Sequence, residues 1–296
     1  MTLSSSSSAI HPDALKGLIT LREAGVFHNK LSVDIDNQHC ADAWSPLVQC
    51  DDETGLVVAL DLGGCRLRKG IPHGDGVPEV LSSVQTLNLG GTDLPISAEV
   101  IILKELVLLE TLHLGGNGLR DAGTTVVAQE YLPTALSLKC LDLRYNDIRP
   151  EGCQALCQGL ATLLQKDTDT GLVKLFLEGN SITDQGAVAL AQWLKLDGNP
   201  LQELFLGSNS IGPDGATALA EALQTNKTIS KIFLEGNRIG PVGADAFTKV
   251  LTECKGETAV KHLYCDNNDI GKEASKRLAK ALNSATTVGD SLLEEE

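Results

Sequence analysis

Four aromatic side chains with acidic residues close behind them are the groups in this sequence best suited to binding chemistry. The four recur at spacings of 29, 28 and 31 residues, at Phe176, Phe205, Phe233 and Tyr264. Carboxylates stand two residues after three of them, at Glu178, Glu235 and Asp266. Exposed apolar stripes rimmed by charge mark partner-binding surfaces, and aromatic side chains are their usual anchors. The pattern therefore indicates recognition rather than bond-making.

Residues that could catalyse a reaction are present but scattered. Among the six histidines, only His113 and His262 fall on predicted strands, and they are far apart in the chain. No nucleophile is paired with a base, and the sequence lacks metalloprotease, P-loop and dinucleotide-binding motifs. Cys153 and Cys157 are spaced like a ligand pair, but no second pair of ligands follows nearby. We expect no catalytic residues, no cofactor and no metal.

The aromatic residues belong to an internal repeat of 25 to 34 residues. The pattern apolar-x-x-Leu-x-Leu-x-x-Asn-x-Leu/Ile starts at Val57, Val84, Leu109, Leu138, Leu172, Leu201, Ile229 and Val260. Self-similarity at such a period is typical of solenoids. Leu-x-Leu has the period of a β-strand, so the leucines point inward and the residues between and after them point outward. The aromatic residues then form one outward column, and the carboxylates share the next column with Arg144.

Two further columns complete the predicted repeat. An asparagine column lies where each strand ends, at Asn117, Asn146, Asn180, Asn209, Asn237 and Asn268. Main-chain groups in such a turn lack ladder partners, and Asn offers both a donor and an acceptor. Apolar residues then recur at helical spacing, as in Ala187, Leu190, Ala191 and Leu194. We therefore predict an α/β solenoid of about eight repeats, with strands on the inner side and helices on the outer side.

These repeats resemble the leucine-rich repeat family, and their length and Gly-Ala-x-Ala-Leu-Ala helices resemble its ribonuclease-inhibitor-like class. The resemblance implies a curved right-handed horseshoe with a concave parallel sheet and convex helices. It also implies recognition of proteins or peptides through the concave face. This is an analogy for the activity, because one fold hosts many functions.

The segment before the first repeat resembles the N-terminal cap of plant-type leucine-rich repeat proteins. Five residues match that cap: Cys40, Trp44, Val48, Cys50 and Asp51. The resemblance implies a Cys40–Cys50 disulfide, and the alternative is two packed free thiols. The first repeat has no neighbour on its N-terminal side, so its apolar edge needs such a cover.

The chain divides into five predicted segments. They are a disordered Ser-rich tail (1–11), an N-terminal cap (12–54), the solenoid (55–270), a C-terminal capping helix (271–284) and a flexible acidic tail (285–296). Within the cap, Asp13 to Phe27 is predicted to be an amphipathic helix with Asp13 capping its start.

Charge and composition restrict the partners. The net charge is -15 over 296 residues, which disfavours nucleic acid and anionic membrane surfaces. No apolar run is long enough for a membrane span, and no secretory signal is visible at the start. We expect a monomer that binds a protein or peptide with basic and apolar groups. Several unpaired cysteines favour a cytoplasmic location, whereas a bonded cap would favour an extracellular one.

The leading hypothesis is a non-catalytic interaction scaffold that binds its partner mainly through the C-terminal half of the inner face. The candidate residues are Phe176, Phe205, Phe233, Tyr264, Glu178, Glu235, Asp266, Arg144 and Tyr145. Repeat duplication could instead have copied the aromatic residue without any partner. Two other functions stay open. One is an extracellular or receptor-like recognition module, suggested by the cap. The other is a regulator of a small GTPase, suggested by similarity to the acidic tails of Ran GTPase-activating proteins.

Overall fold

The computed structural model describes residues 10–24, 26, 47–72, 74–166, 171–254 and 257–286. Within these ranges, nine strands form a single sheet in which each strand lies beside the next one in sequence. Helices alternate with the strands, so the predicted β-α solenoid is confirmed. No helix in the described ranges is long and apolar enough to cross a membrane.

The strands are short and in register. They are β1 (Val48–Cys50), β2 (Val57–Asp61), β3 (Thr86–Asn88), β4 (Thr111–His113), β5 (Cys140–Asp142), β6 (Lys174–Phe176), β7 (Glu203–Phe205), β8 (Lys231–Phe233) and β9 (His262–Tyr264). Strands β2 to β9 are parallel and correspond to the eight predicted repeats. Strand β1 pairs antiparallel with β2 and was not predicted. Its segment lies in the cap, outside the repeat pattern.

From β2 onward, each strand is followed in sequence by a helix. They are α1 (Pro12–Glu23), α2 (Val77–Ser82), α3 (Ile96–Glu105), α4 (Arg120–Val126), α5 (Pro150–Leu164), α6 (Thr183–Leu194), α7 (Pro213–Ala222), α8 (Gly240–Glu253) and α9 (Lys272–Thr286). A π-helical turn, Val127–Tyr131, and a 3₁₀ turn, Leu132–Thr134, extend α4. In α6 the predicted stripe of Ala187, Leu190, Ala191 and Leu194 is buried, as the spacing indicated.

The predicted alternation of inward and outward side chains is confirmed in five of the described strands. In β7 the central Leu204 is buried, while Glu203 and Phe205 on either side are half-buried. The same pattern holds in β3, β4, β6 and β8. We refer to the surface formed by the outward side chains of β2 to β9 as the sheet face.

The asparagine column forms a continuous hydrogen-bond ladder, which is what holds successive turns together. Asn209 Nδ2 donates to the carbonyl oxygens of Leu177 (2.9 Å) and Leu206 (3.0 Å), joining two repeats. Its own main-chain N–H donates to Asn237 Oδ1 in the next repeat (2.9 Å). Because these groups are buried, each bond prevents a main-chain group from being left unsatisfied.

The N-terminal helix differs from its prediction in extent and in its cap. Helix α1 ends at Glu23 rather than Phe27, and its N-cap is His11 with no side-chain capping bond. Asp13 therefore does not cap the helix; it lies in the first turn, where a carboxylate favours the helix dipole. Packing begins before the predicted boundary at residue 12, because Ile10 is already buried.

Helix α1 reaches the solenoid through a contact between two glycines. A Cβ atom at Gly17 would clash with the main-chain carbonyl group of Gly76, at the start of α2. Glycine is therefore required at this crossing, and α1 covers the outer side of the first repeat. At the other end, α9 extends to Thr286, two residues beyond the predicted capping helix.

Replacing Asn209 with alanine tests the ladder. We expect Asn209→Ala to lower the free energy of unfolding by about 2–4 kcal/mol, because it leaves buried main-chain groups without partners. Urea unfolding followed by circular dichroism would measure this. Gln224→Ala, which removes an exposed amide on the outer side, should change it by less than about 0.5 kcal/mol. Equal effects of the two substitutions would contradict the proposed role of the ladder.

Candidate functional site

The four outward aromatic residues stack into one ladder on the sheet face. Register pairing places Phe176, Phe205, Phe233 and Tyr264 on adjacent strands. Successive ring centroids are 4.1, 4.2 and 4.5 Å apart, and the planes differ by 12°, 7° and 9°. Each ring covers the face of its neighbour, so the ring edges are turned toward the space above the sheet. We call these four residues the aromatic ladder.

Stacking also determines how much of the ladder a partner can reach. Phe176, Phe205 and Phe233 are half-buried, because each loses a face to its neighbours. Tyr264 has no strand beyond it among the described residues and is 39% exposed. The available surface is therefore a strip of ring edges that ends in one open ring face.

The start of the ladder is covered by Arg144. Its guanidinium carbon lies 5.2 Å from the centroid of the Phe176 ring, within cation–π range. The same guanidinium donates to Asp142, from Nε to Oδ1 (3.0 Å) and from Nη2 to Oδ2 (2.8 Å). Arg144 is thus held in place by its own chain.

Asp142 is the buried centre of this cluster. His113 Nδ1 lies 3.3 Å from its Oδ2, the oxygen that also accepts from Arg144 Nη2. Burial raises the pKa of Asp142, but the hydrogen bonds from His113 and Arg144 outweigh burial and hold the pKa well below its usual range. The carboxylate therefore stays ionised and fixes the cation that caps the ladder.

A third outward column was missed by the sequence reading. It contains Lys174, Glu203 and Lys231 and flanks the ladder on the side opposite the acidic column of Glu178, Glu235 and Asp266. Glu203 forms ion pairs with both lysines. The N–O distance is 3.3 Å to Lys174 and 3.1 Å to Lys231. Burial raises the pKa of Glu203, and the two lysines more than reverse that effect. The signal was available, since these residues stand two positions before each ring and share the same alternation.

The acidic column of Glu178, Glu235 and Asp266 flanks the ladder opposite the lysines, and its charges are less well neutralised. Glu178 and Glu235 stand on either side of Gly207, where a Cβ atom would be 3.6 Å from Glu178 Cγ and 3.9 Å from Glu235 Oε2. Glu178 Oε2 is buried and accepts no hydrogen bond within the described residues. Its nearest described cation, Arg144 Nε, is 3.9 Å away.

Both carboxylates have raised pKa values. Burial is the main cause for Glu178, and Arg144 only partly offsets it. For Glu235, burial is again the main cause, and the charge of Asp266 adds to it. This flank therefore favours the approach of a positive group, which would restore the lost solvation.

The first half of the sheet face is a polar depression rather than an aromatic surface. A cavity of about 630 Å³ lies there, and its floor is formed by glycines in three successive repeats. Its rim includes Asp61, His113, Arg144 and Tyr145. Its size is within the range of ligand sites.

Tyr145 stands out at this rim because its backbone is strained. It has φ 54° and is 67% exposed. The equivalent positions in neighbouring repeats are Gly116 and Gly179, which adopt positive φ without strain. A bulky side chain held in this region at the surface is a candidate for function.

The cysteines divide into one bonded residue and six free thiols among those described. Cys50 is disulfide-bonded. Cys40 and Trp44 lie outside the described residues, so the Cys40–Cys50 pairing stays a prediction. Cys153 and Cys157 are buried, and a hydrogen bond between them, together with burial, raises the pKa of Cys153 well above its usual value. Among the described residues, no group of three or more metal-ligating side chains occurs.

Comparisons with known proteins match the repeats. A family model described as leucine-rich repeat matches residues 135–157, 170–191 and 199–220. A ribonuclease inhibitor of Sus scrofa is 34% identical over 132 residues, which is 44% of this chain and 28% of the inhibitor. Among solved structures, the actin-binding site 2 of leiomodin-1 has 19% identity and a TM-score of 0.38, covering 47% of this chain and 74% of that one.

Neutralising Glu178 tests the electrostatics of the site. Its pKa is raised in the folded state, so its stabilising contribution is present below its unfolded pKa and is lost as pH rises through the folded one. We expect Glu178→Gln to increase the free energy of unfolding at pH 7 and to have no effect below about pH 4. Denaturant titrations across this pH range would measure the difference.

The exposed carboxylate of Glu79 on α2 provides the matched control. Glu79→Gln should change the free energy of unfolding at pH 7 by less than about 0.5 kcal/mol. A destabilising effect of Glu178→Gln at pH 7 would show that the Glu178 carboxylate is satisfied within the chain itself.

Proposed function

We propose that this chain, whose repeats are similar to leucine-rich repeats of the ribonuclease-inhibitor-like class, is a non-catalytic scaffold that binds a partner protein or peptide through the sheet face. The observation that carries the proposal is the aromatic ladder with its acidic flank. The aligned part of the ribonuclease inhibitor is 28% of that protein, so its activity is not carried over to this chain.

The ladder supplies the apolar part of the binding site. Its rings occupy in-register positions of four successive strands, so their edges form one strip along the sheet. Rigid aromatic side chains lose little conformational entropy on binding, because their neighbours already hold them in place. They are therefore suitable anchors for an apolar segment of the partner.

The flanking columns set the charge of the partner. The lysines of one column are neutralised by Glu203, whereas Glu178 and Glu235 in the other are half-buried carboxylates with raised pKa values. A cationic side chain placed over Gly207 would be within reach of both carboxylates. The partner therefore carries basic and apolar groups, in agreement with the net charge of -15.

The polar depression extends the site toward the N-terminal repeats. Tyr145 at its rim is exposed and strained, and Arg144 connects the depression to the first ring of the ladder. A partner that spans both parts would contact an aromatic anchor at each end. Tyr145 is not a copy of a residue in the neighbouring repeats, because glycine occupies the equivalent position in both of them.

An extracellular recognition module is the second candidate, and the bonded state of Cys50 favours it. Disulfides persist in oxidising compartments, whereas the six free thiols favour a reducing one. We propose the cytoplasmic location on the number of free thiols. Mass spectrometry of thiol-blocked protein purified from its source decides between the extracellular and the cytoplasmic candidate. An intact Cys40–Cys50 bond supports the extracellular candidate, and free thiols at Cys40 and Cys50 reject it. The acidic tail named in the GTPase-regulator alternative lies outside the described residues.

The double substitution Phe205→Ala with Phe233→Ala tests the site. We expect it to weaken partner binding by at least about thirtyfold, since central aromatic anchors carry most of the energy at interfaces. Affinity capture with mass spectrometry would identify the partner, and calorimetry with the purified partner would measure the change. The rings are half-buried and stacked, so the melting temperature should also fall by a few degrees.

The matched control changes the same face in the N-terminal half. Thr86→Ala with Thr111→Ala removes two half-buried outward side chains and should leave binding within about twofold of the original. If the folded double phenylalanine variant binds its partner as tightly as the control variant does, the ladder is not the binding site.

A further inference from the structure

We propose that the outer edge of β9 is a second docking site, which accepts an extended segment of a partner with an arginine opposite Tyr264. This site adds a strand to the sheet at its edge and shares with the sheet face only its last outward side chains, Tyr264, Glu235 and Asp266. It does not rest on the proposed function, because its evidence is the unpaired edge of β9 and the exposed face of the last ring.

The main chain of β9 has one unused side. β9 pairs with β8 alone among the described strands, and its register with β8 runs from His262 to Tyr264. In a parallel sheet, alternate residues bond to opposite neighbours, so the N–H groups of Leu263 and Cys265 face the outer edge. Within the described residues, neither N–H has a partner. Unpaired edges of this kind are templates for strand addition.

The opposite end of the same sheet provides the precedent. There β1 pairs antiparallel with β2 over three residues, Val48–Cys50, and closes that edge. The sheet can therefore be continued by a short extended segment that is not a repeat. At the C-terminal end, α9 follows β9, and among the described residues no strand follows it.

The apolar core is also less covered at β9 than in the other repeats. Leu263 and Cys265 occupy the two inward positions of this strand and are only half-buried. Their equivalents one repeat earlier, Ile232 and Leu234, are fully buried. Added apolar side chains on the inner side of a tenth strand would cover these positions.

The open face of Tyr264 determines which residue fits opposite it. One face of its ring lies against Phe233, with centroids 4.5 Å apart, so the other face points away from β8 toward the edge. At the other end of the ladder, a guanidinium group covers the equivalent face of Phe176. The chain thus shows that its own terminal ring face is satisfied by arginine, through cation–π attraction.

Charge at this end favours the same occupant. The charge of Asp266 helps to raise the pKa of Glu235. No cation among the described residues forms an ion pair with either carboxylate. A guanidinium beside Tyr264 would face these carboxylates. The chain's own last residues, Glu294, Glu295 and Glu296, would meet repulsion there, and a second copy would bring a further net charge of -15.

A peptide titration against the full chain tests the site. The probe is the capped peptide Gly-Thr-Val-Arg-Val-Thr-Gly, whose alternation places two valines on the core side and the arginine on the outer side. Two derivatives carry N-methyl groups on alternate residues, in complementary patterns. NMR titration should show saturable shifts at Leu263 and Cys265 with the parent peptide. One derivative should lose at least tenfold in affinity and the other should keep it, because only one pattern blocks the edge that faces β9.

Side-chain variants separate this site, at the last ring of the aromatic ladder, from the middle of the ladder. Tyr264→Ala should weaken binding of the peptide by about five- to tenfold, and exchange of the peptide's arginine for glutamate should do at least the same. Phe205→Ala removes a ring in the middle of the ladder and should leave peptide binding unchanged. Absence of saturable shifts, equal binding of the two methylated derivatives, or equal losses with Tyr264→Ala and Phe205→Ala would each overturn the proposal.

Discussion

In-register parallel pairing of equivalent strands is the constraint from which the other features of this protein follow. When each strand pairs with the next at the same repeat position, like residues are placed beside like residues every ~4.8 Å. Leucine then packs on leucine inside the sheet, and asparagine bonds to the turn of the preceding repeat. On the outside, phenylalanine is brought against phenylalanine at 4.1 and 4.2 Å. A shift of one residue would turn the rings into the core and the leucines into solvent.

The same pairing sorts the charges of an acidic chain into columns with different properties. Glu203 lies between two lysines and is neutralised, whereas Glu178 and Glu235 face each other across a glycine. Burial raises the pKa of all three glutamates. Only Glu203 has lysines on both neighbouring strands that reverse this effect, so its pKa is lowered while those of Glu178 and Glu235 stay raised. The side of the ladder that attracts a cation is therefore a product of repeat stacking.

The two ends of a solenoid are unlike its middle, because each end lacks one neighbour. In this chain the N-terminal end is covered by α1 and β1, and the close contact of Gly17 with Gly76 shows how tightly α1 is applied. At the C-terminal end, α9 packs on α8, but within the described residues β9 has a free edge. The aromatic ladder reflects this asymmetry: its first ring is covered by Arg144, and its last ring has an open face.

The sequence alone determined the repeat positions, the inward leucines, the asparagine ladder and the shared column of four rings. These follow from periods of two and about 28 residues, which local stereochemistry imposes. It did not indicate β1 or the end of α1, because neither belongs to the repeat. Only the tertiary structure decided which outward residues interact. It shows that Arg144 is held by Asp142, that Lys174 and Lys231 share Glu203, and that one oxygen of Glu178 has no hydrogen-bond partner in the described part of the chain. Those relations join residues about 30 positions apart, and their geometry exists only once neighbouring repeats are stacked.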